Sequence, residues 1–121
     1  MSNPSQMHRG SCHCGKVRYQ VEIDLAQPVV ACNCSICQRS GTLLAFVPAS
    51  KFQLLSGEAD LRDYQFNRNK IHHLFCTTCG IKSFARGELP DGTPMAAVNV
   101  RCLEGVELDG LTVQKFNGRD H

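Results

Sequence analysis

Alternation of apolar and polar side chains is clearest at residues 16–23 of the sequence. Four apolar residues fall on one face of an extended segment there, while charged or amide side chains fall on the other face. This period of two predicts a β-strand with one buried and one solvated face. The apolar positions are Val17, Tyr19, Val21 and Ile23.

Further short runs are rich in aliphatic and aromatic residues, as β-strands usually are. Turn-forming Ser-Gly, Pro-Asp-Gly and Asp-Gly sequences separate several of them. Together with the first segment they give about eight strands, and this spacing predicts an all-β protein. The further runs are residues 43–47, 52–55, 61–66, 71–75, 81–85, 95–100 and 111–116.

Helical periodicity is scarce along the chain. We expect at most a single helical turn at residues 34–40, and the pattern of residues 100–110 does not distinguish helix from strand. The first ten residues and the last four are polar and are expected to fray. A length of 121 residues predicts one domain over residues 1–121.

The charge balance is nearly even. The net charge is +2, and basic and acidic residues are spread over both halves without the clustered basic face that nucleic-acid-binding proteins usually carry. The amino terminus lacks the apolar segment of a signal peptide, and the longest apolar run, residues 43–47, is too short to span a bilayer. We therefore expect a cytoplasmic protein that binds neither nucleic acid nor membrane.

Cysteine is the outlier of the composition, with eight among 121 residues. In a reducing compartment such an excess indicates metal ligands rather than disulfides. Seven of the eight lie in tight clusters, whose spacing lets neighbouring thiolates reach one tetrahedral zinc ion. The clusters are Cys12 with Cys14, then Cys32 with Cys34 and Cys37, then Cys76 with Cys79.

Zinc coordination suggests how these seven cysteines divide. A closed structural site takes four protein ligands, whereas a catalytic site keeps one position for water or substrate. The count favours a structural site built from the first and third clusters and a catalytic site built from the second, with two zinc ions per chain. An alternative remains open, in which Cys102 or a histidine completes the second site.

The residues around the cysteines resemble those of the glutathione-dependent formaldehyde-activating enzyme family, whose domain is shared with centromere protein V. The family signatures G-x-C-x-C-G, C-x-C-x-x-C and F-C-x-x-C-G occur in order at residues 10–15, 32–37 and 75–80. The resemblance implies a zinc-containing β-tent of short coiled antiparallel sheets with little helix. It implies structural zinc at Cys12, Cys14, Cys76 and Cys79, and catalytic zinc at Cys32, Cys34 and Cys37.

The same resemblance implies a carbon-sulfur lyase that forms or cleaves the S-hydroxymethyl adduct of glutathione, or a similar thiol, with formaldehyde or another aldehyde. Zinc at the second site would either favour the deprotonated thiol that attacks the aldehyde carbon or polarise the carbonyl oxygen, and the sequence does not separate these two routes. A non-catalytic zinc module that binds a protein partner is the alternative, and it needs no open metal position. A homo-oligomer is compatible with either function.

Other side chains near these motifs carry weaker expectations. Arg39 is the best placed cation for the carboxylates of glutathione, although a solvated surface arginine explains it equally well, and Arg101 is a weaker candidate. Phe46 and Phe52 are better explained as core residues than as walls of a cleft. The histidines and the lone cysteine are expected to have no catalytic role. His13 faces solvent or lies near the metal without coordinating it, and His72 and His73 face opposite sides of a strand. Cys102 is expected to be a buried thiol.

Overall fold

The computed structural model of the protein describes residues 5–65 and 71–117. Strands make up 47% of it and helices 17%, which confirms the predicted all-β class. The described residues form ten strands. They are β1 (Gln6–Ser11), β2 (Arg18–Ile23), β3 (Val29–Cys32), β4 (Leu44–Pro48), β5 (Phe52–Ser56), β6 (Leu61–Tyr64), β7 (His72–Cys76), β8 (Phe84–Glu88), β9 (Pro94–Asn99) and β10 (Val113–Phe116).

Helical structure is short, as expected. Helix α1 (Ser35–Ser40) lies where a single turn was predicted, and Gly41 ends it in the left-handed conformation that glycine adopts easily. None of the helices in the described residues has the length and apolar character needed to cross a membrane. Single turns of 3-10 helix occur at Ala49–Lys51, Glu58–Asp60, Val100–Cys102 and Leu108–Gly110.

The strands form a small sheet in the order β1-β2-β5 and a large sheet in the order β10-β3-β4-β9-β8-β7-β6. The neighbouring strands pair antiparallel except β10 and β3, where Val113 lies opposite Val29 and Phe116 opposite Cys32. This parallel pair departs from the antiparallel sheets expected. It forms because the long connection after β9 returns the chain to the far edge of the sheet, as parallel pairing requires.

The core lies between the two sheets. The predicted alternation in β2 is confirmed, since Tyr19, Val21 and Ile23 are buried while Arg18 is exposed. Tyr19 of the small sheet stacks on Phe52 with ring centroids 5.1 Å apart, and Phe52 meets Phe84 of the large sheet at 4.6 Å. These rings join the two sheets, and aromatic pairs of this kind add about 1 kcal/mol beyond the area that they bury.

Several sequence predictions differ from the structure. Strand β1 lies in a segment expected to fray, and β3 was not predicted. Strand β8 begins at Phe84 and not at residue 81, because the Ile81 carbonyl accepts from the Cys76 amide and closes the loop that follows β7. Phe46 was expected in the core but is 55% exposed, since it lies on the outer face of β4. The predicted strand end at residue 66 and the two termini, 1–4 and 118–121, lie outside the described residues.

Candidate metal centres and active site

Four cysteines from two distant parts of the chain meet between the sheets. Their sulfur atoms all lie within 4.8 Å of one another. Cys14 Sγ lies 3.5 Å from Cys12 Sγ and 3.6 Å from Cys76 Sγ. These separations are close to the edge of about 3.8 Å that a tetrahedron of sulfurs has when each lies about 2.3 Å from zinc. The group, which we call the four-cysteine group, consists of Cys12, Cys14, Cys76 and Cys79.

Two tight turns position the four-cysteine group. The first follows β1, where the amide of Cys12 donates to the Val17 carbonyl and the amide of Val17 donates to Cys12 Sγ at 3.4 Å. The second follows β7, where the amide of Gly80 donates to the Cys76 carbonyl at 2.8 Å. Gly80 has a φ of 79°, in the left-handed region. Glycine adopts this region at little cost, so the chain can turn directly after Cys76 and Cys79.

The thiols of this group differ in acidity. An amide hydrogen bond from Lys16 favours the thiolate of Cys14, but burial and the neighbouring thiols together raise its pKa to about 11. Burial opposes ionisation of Cys79, but the backbone amides of Cys14 and Ile81 donate to its sulfur and lower its pKa to about 6. Amide donors of this kind stabilise thiolate without adding a ligand. The four-cysteine group can therefore hold a metal ion such as zinc, and its donor set matches a closed structural site.

The other three clustered cysteines meet at the start of α1. Their sulfurs also lie within 4.8 Å of one another, and we call them the three-cysteine group. Cys32 ends β3, Cys34 is the residue before α1, and Cys37 is buried within that helix. The amide of Cys34 donates to Cys32 Sγ at 3.4 Å. Among the described residues, neither Cys102 nor a histidine joins this group.

Protons are unevenly shared within the three-cysteine group. Burial opposes ionisation of Cys34, but the amides of Cys37 and Ile36 donate to its sulfur and lower its pKa. Burial raises the pKa of Cys37 to about 12, and the neighbouring Cys34 adds to this rise. Binding of a metal ion by all three sulfurs must therefore release a proton from Cys37, so metal affinity increases with pH.

Sequence reasoning missed Lys82, a half-buried residue between the turn after β7 and the start of β8. Burial lowers the pKa of Lys82, and the three thiols of the group oppose this effect. Its positive charge partly offsets the rise that burial causes in the pKa of Cys37. The only signal in the sequence is its position three residues after the C-x-x-C motif. Its relation to the three-cysteine group depends on contacts between distant segments.

The predicted cation Arg39 lies on the exposed face of α1. Its Nη1 donates to the carbonyl of Ser35 at 2.9 Å, one turn earlier in the helix. An open groove of about 550 Å³ runs beside the helix, and none of the clustered cysteines is among the described residues that line it. The described residues that line the groove are Ser35, Ile36, Arg39, Ser40 and Tyr64.

The other candidates lie away from this groove. Arg101 is exposed and its amide donates to Asn99 Oδ1, which caps a 3-10 turn. His13 is exposed, while His72 is exposed and His73 buried on opposite faces of β7, as expected. Cys102 is half-buried, and burial raises its pKa. None of these residues is among the described residues that line the groove.

Comparison with known proteins identifies the family of this chain. A crystal structure of a Rhodobacter sphaeroides protein is similar, with a TM-score of 0.75 and 33% sequence identity over 88% of this chain and 99% of that one. Residues 7–113 match the family model described as glutathione-dependent formaldehyde-activating enzyme. That range contains all seven clustered cysteines. The chain belongs to the glutathione-dependent formaldehyde-activating enzyme family.

Proposed function

We propose that the protein is a carbon-sulfur lyase that forms or cleaves an S-hydroxymethyl thiol adduct at the three-cysteine group. The observation that carries this proposal is the donor count: three protein sulfurs lie within 4.8 Å of one another, and a tetrahedral ion takes four ligands. Membership of the family supports formaldehyde and glutathione, or a similar thiol, as the reactants.

The sulfur donors suit zinc, which is the basis for proposing two zinc ions per chain. The four-cysteine group would hold a structural ion. Cys32, Cys34 and Cys37 would hold a catalytic ion, whose chemical contribution is to favour the deprotonated thiol and to polarise the aldehyde carbonyl. All eight cysteines are free thiols, which supports a reducing compartment such as the cytoplasm.

The reaction itself is a balanced addition. The thiolate sulfur forms a bond to the aldehyde carbon, the carbonyl π pair moves onto oxygen, and that oxygen takes a proton from solvent. The chain's own contribution is to hold the thiol with its sulfur beside the three-cysteine group. Positioning of this kind reduces the entropic cost of bringing the two reactants together from solution.

Arg39 is the groove residue that we assign to the carboxylates of the thiol. Its guanidinium lies on the groove wall, next to the segment that carries Cys37. It presents several donors in a planar fork that matches a carboxylate. The contact with the Ser35 carbonyl uses Nη1 and leaves the other donors of Arg39 for a ligand.

Exchange spectroscopy by NMR tests the proposal directly. Formaldehyde and glutathione near equilibrium, with zinc-replete protein, should exchange with their adduct faster than without protein. Cys34→Ser should reduce the exchange rate to the uncatalysed background because one of three sulfur donors is lost. Cys102→Ser, outside both cysteine groups, should keep the rate of the unaltered protein.

Two outcomes would contradict this function. If protein with two bound zinc ions gave no acceleration, formaldehyde and glutathione would not be its substrates, and a non-catalytic zinc module would be the better explanation. If Cys34→Ser kept both its zinc content and the full exchange rate, the chemistry would have to occur elsewhere.

A further inference from the structure

The loop that carries two of the three clustered sulfurs has little support from one side of its sheet. Asn33 lies between Cys32 and Cys34, and both of these neighbours belong to the three-cysteine group. In the described part of the chain, β3 pairs with β4 only at Val30 and Leu44, so this pairing stops before the cysteines. The loop therefore has to be held from its other side.

The third sulfur of the group is held differently. Cys37 is buried within α1, and its carbonyl accepts from the Gly41 amide at 2.9 Å. The Cys34 carbonyl accepts from the Gln38 amide in the first turn of the same helix, also at 2.9 Å. The helix thus fixes Cys37 and one end of the loop, but it does not fix Asn33.

Strand β10 supplies the missing support. It pairs with all four residues of β3, and Phe116 lies opposite Cys32 in the register. The Asn33 amide donates to the Phe116 carbonyl at 3.1 Å, and Asn33 Nδ2 donates to Asn117 Oδ1 at 3.0 Å. Asn33 is thus held through its main chain and its side chain by a segment that follows it by 84 residues.

The residues that hold Asn33 lie outside the part of the chain that matches the family model. That match ends at residue 113, so it includes the three cysteines but neither Phe116 nor Asn117. Membership of the family therefore assigns no role to Asn117. Its role has to be argued from its contact with Asn33.

The position of Asn33 affects metal binding because a tetrahedral ion requires its sulfur ligands at set distances from one another. A loop that is not held must be ordered when the ion binds, and the lost conformational entropy opposes binding. A loop that is already hydrogen-bonded in place loses less entropy. Residues that orient metal ligands without touching the ion commonly change metal affinity by about tenfold to a hundredfold.

We propose that the end of β10 clamps the loop at residues 32–34, and that Asn117 is a positioning residue for the three-cysteine group. Its Oδ1 acts through Asn33 to keep Cys32 and Cys34 in the arrangement that binds zinc. The effect on zinc affinity depends only on the residues of the loop and the clamp, whereas its consequence for catalysis rests on the proposed function.

Protection of the cysteines by zinc tests the clamp without catalysis. The protein would be equilibrated at a series of buffered free zinc concentrations and alkylated with iodoacetamide. Mass spectrometry would then give the zinc concentration that protects half of each cysteine group. In Asn117→Ala this concentration should rise by about tenfold for the three-cysteine group. The four-cysteine group should keep its value, which also shows that the variant is folded.

Three further variants separate the contact from general effects. Asn117→Asp keeps an acceptor oxygen for Asn33 Nδ2, so it should need no more zinc than the unaltered protein. Gln53→Ala removes the acceptor of another exposed amide pair, in which Gln20 Nε2 donates to Gln53 Oε1 at 2.8 Å, and should change neither group. Asn33→Ala should resemble Asn117→Ala, and combining the two should add little because the contact is already lost.

Several outcomes would overturn the clamp. They are an unchanged zinc requirement in Asn117→Ala, an equal rise in both cysteine groups, a similar rise in Gln53→Ala, a rise in Asn117→Asp as large as in Asn117→Ala, and full additivity in the double variant. If zinc affinity depended on Asn117 but the unaltered protein gave no acceleration in exchange spectroscopy, the clamp would stand and the proposed function would fail. Acceleration without any dependence of zinc affinity on Asn117 would mean the reverse.

Discussion

Gly57 and Gly92 have almost the same backbone conformation but different surroundings. Their φ angles are 90° and 89°, in the left-handed region that favours glycine. A Cβ at Gly92 would meet nothing within 4 Å. A Cβ at Gly57 would collide with the carbonyl of Lys16 and lie 2.7 Å from Val17 Cα. Gly57 is therefore required both by its φ and by the approach of the segment that leads from the first cysteine pair into β2.

This pair of glycines gives a matched prediction. Gly92→Ala should lower the free energy of unfolding by about 1 kcal/mol, from the left-handed conformation alone. Gly57→Ala should lower it by about 3 to 4 kcal/mol, because backbone atoms must also move. Urea denaturation of both variants measures the difference. Equal losses of unfolding free energy in the two variants would mean that the close approach of the Lys16 segment does not add to the cost of the Gly57 substitution.

His73 makes stability depend on pH. Burial, together with the nearby Lys82 charge, lowers its pKa in the folded state from 6.5 to about 4. Between these values the unfolded chain binds a proton that the folded chain excludes, so the contribution is intact above pH 6.5 and is lost as the pH falls toward 4. Acidification from pH 7 to pH 5 should lower the free energy of unfolding by about 2 kcal/mol through this group.

The contribution of His73 is isolated by substitution. In His73→Gln the loss between pH 7 and pH 5 should be smaller by about 2 kcal/mol than in the unaltered protein. His8→Gln, in β1, serves as the control for removal of a histidine at another position. Loss of metal on acidification affects all three proteins, so the difference between them carries the result. An identical pH dependence in His73→Gln would show that this imidazole is protonated without penalty.

At the scale of elements, one buried amide joins three strands. Asn99 Oδ1 accepts from the amides of Leu43 and Arg101 at 3.4 and 3.2 Å, while Nδ2 donates to the Lys82 carbonyl. The side chain thus connects the start of β4, the end of β9 and the approach to β8. A buried amide that satisfies three backbone groups costs more to remove than its bonds contribute, since it leaves those groups unpaired.

Asn99→Ala should therefore lower the free energy of unfolding by about 2 to 3 kcal/mol. The matched change is Gln20→Ala, which removes an exposed amide that donates to Gln53 Oε1 at 2.8 Å. That variant should lose less than about 0.5 kcal/mol. Thermal unfolding of the two variants compares them. A loss at Asn99 as small as that at Gln20 would mean that water replaces the buried amide.

Prediction from sequence worked best where a local pattern decides the structure. The alternation in β2 and the helical turn at α1 were read from neighbouring residues alone. Strand β1 was missed because it is a mostly exposed edge strand, and its pairing with β2 replaces the apolar pattern that a buried strand would show. Strand β3 was missed because it has only four residues, three of them half-buried.

In the candidate site too, some features could be predicted from neighbouring residues and others depend on the fold. The short spacing between cysteines identified three clusters. Because there were only three, the first and the third could be assigned to one site. Lys82 has no local signature, because its electrostatic effect on Cys37 arises between segments that are distant in sequence. The exposure of Phe46 was equally hidden, since a strand pattern gives two faces without saying which one meets the core.

At the scale of the whole molecule, the two cysteine groups differ in which parts of the chain they connect. The four-cysteine group joins the turn after β1 to the turn after β7, so it connects the small sheet to the large one. The three-cysteine group lies within one short segment of the chain, at the end of β3 and in α1. A metal ion in the first group closes a long loop, whereas an ion in the second constrains little beyond one turn.

Loss of the metal ion from the four-cysteine group should therefore destabilise the protein more than loss of the ion from the three-cysteine group. Cys76→Ser should lower the free energy of unfolding by on the order of 5 kcal/mol, because its buried sulfur belongs to a site coupled to folding. Cys34→Ser should lower it by about 1 kcal/mol and remove one metal ion. Thermal unfolding with metal analysis compares the variants, and a chelator should shift the unaltered protein toward Cys76→Ser. Equal destabilisation by the two substitutions would contradict this division.

The parallel pair of β3 and β10 has a consequence for the order in which the chain folds during synthesis. Phe116 accepts a hydrogen bond from the amide of Asn33 at 3.1 Å, within the segment that carries the three-cysteine group. On the ribosome, Val29 of β3 emerges 84 residues before Val113 of the strand that covers its edge, and Cys37 emerges 76 residues before it. The four-cysteine group is complete once Cys79 has emerged. The three sulfurs of the three-cysteine group are therefore present before the four-cysteine group is complete, but the strand that covers their edge is synthesised last.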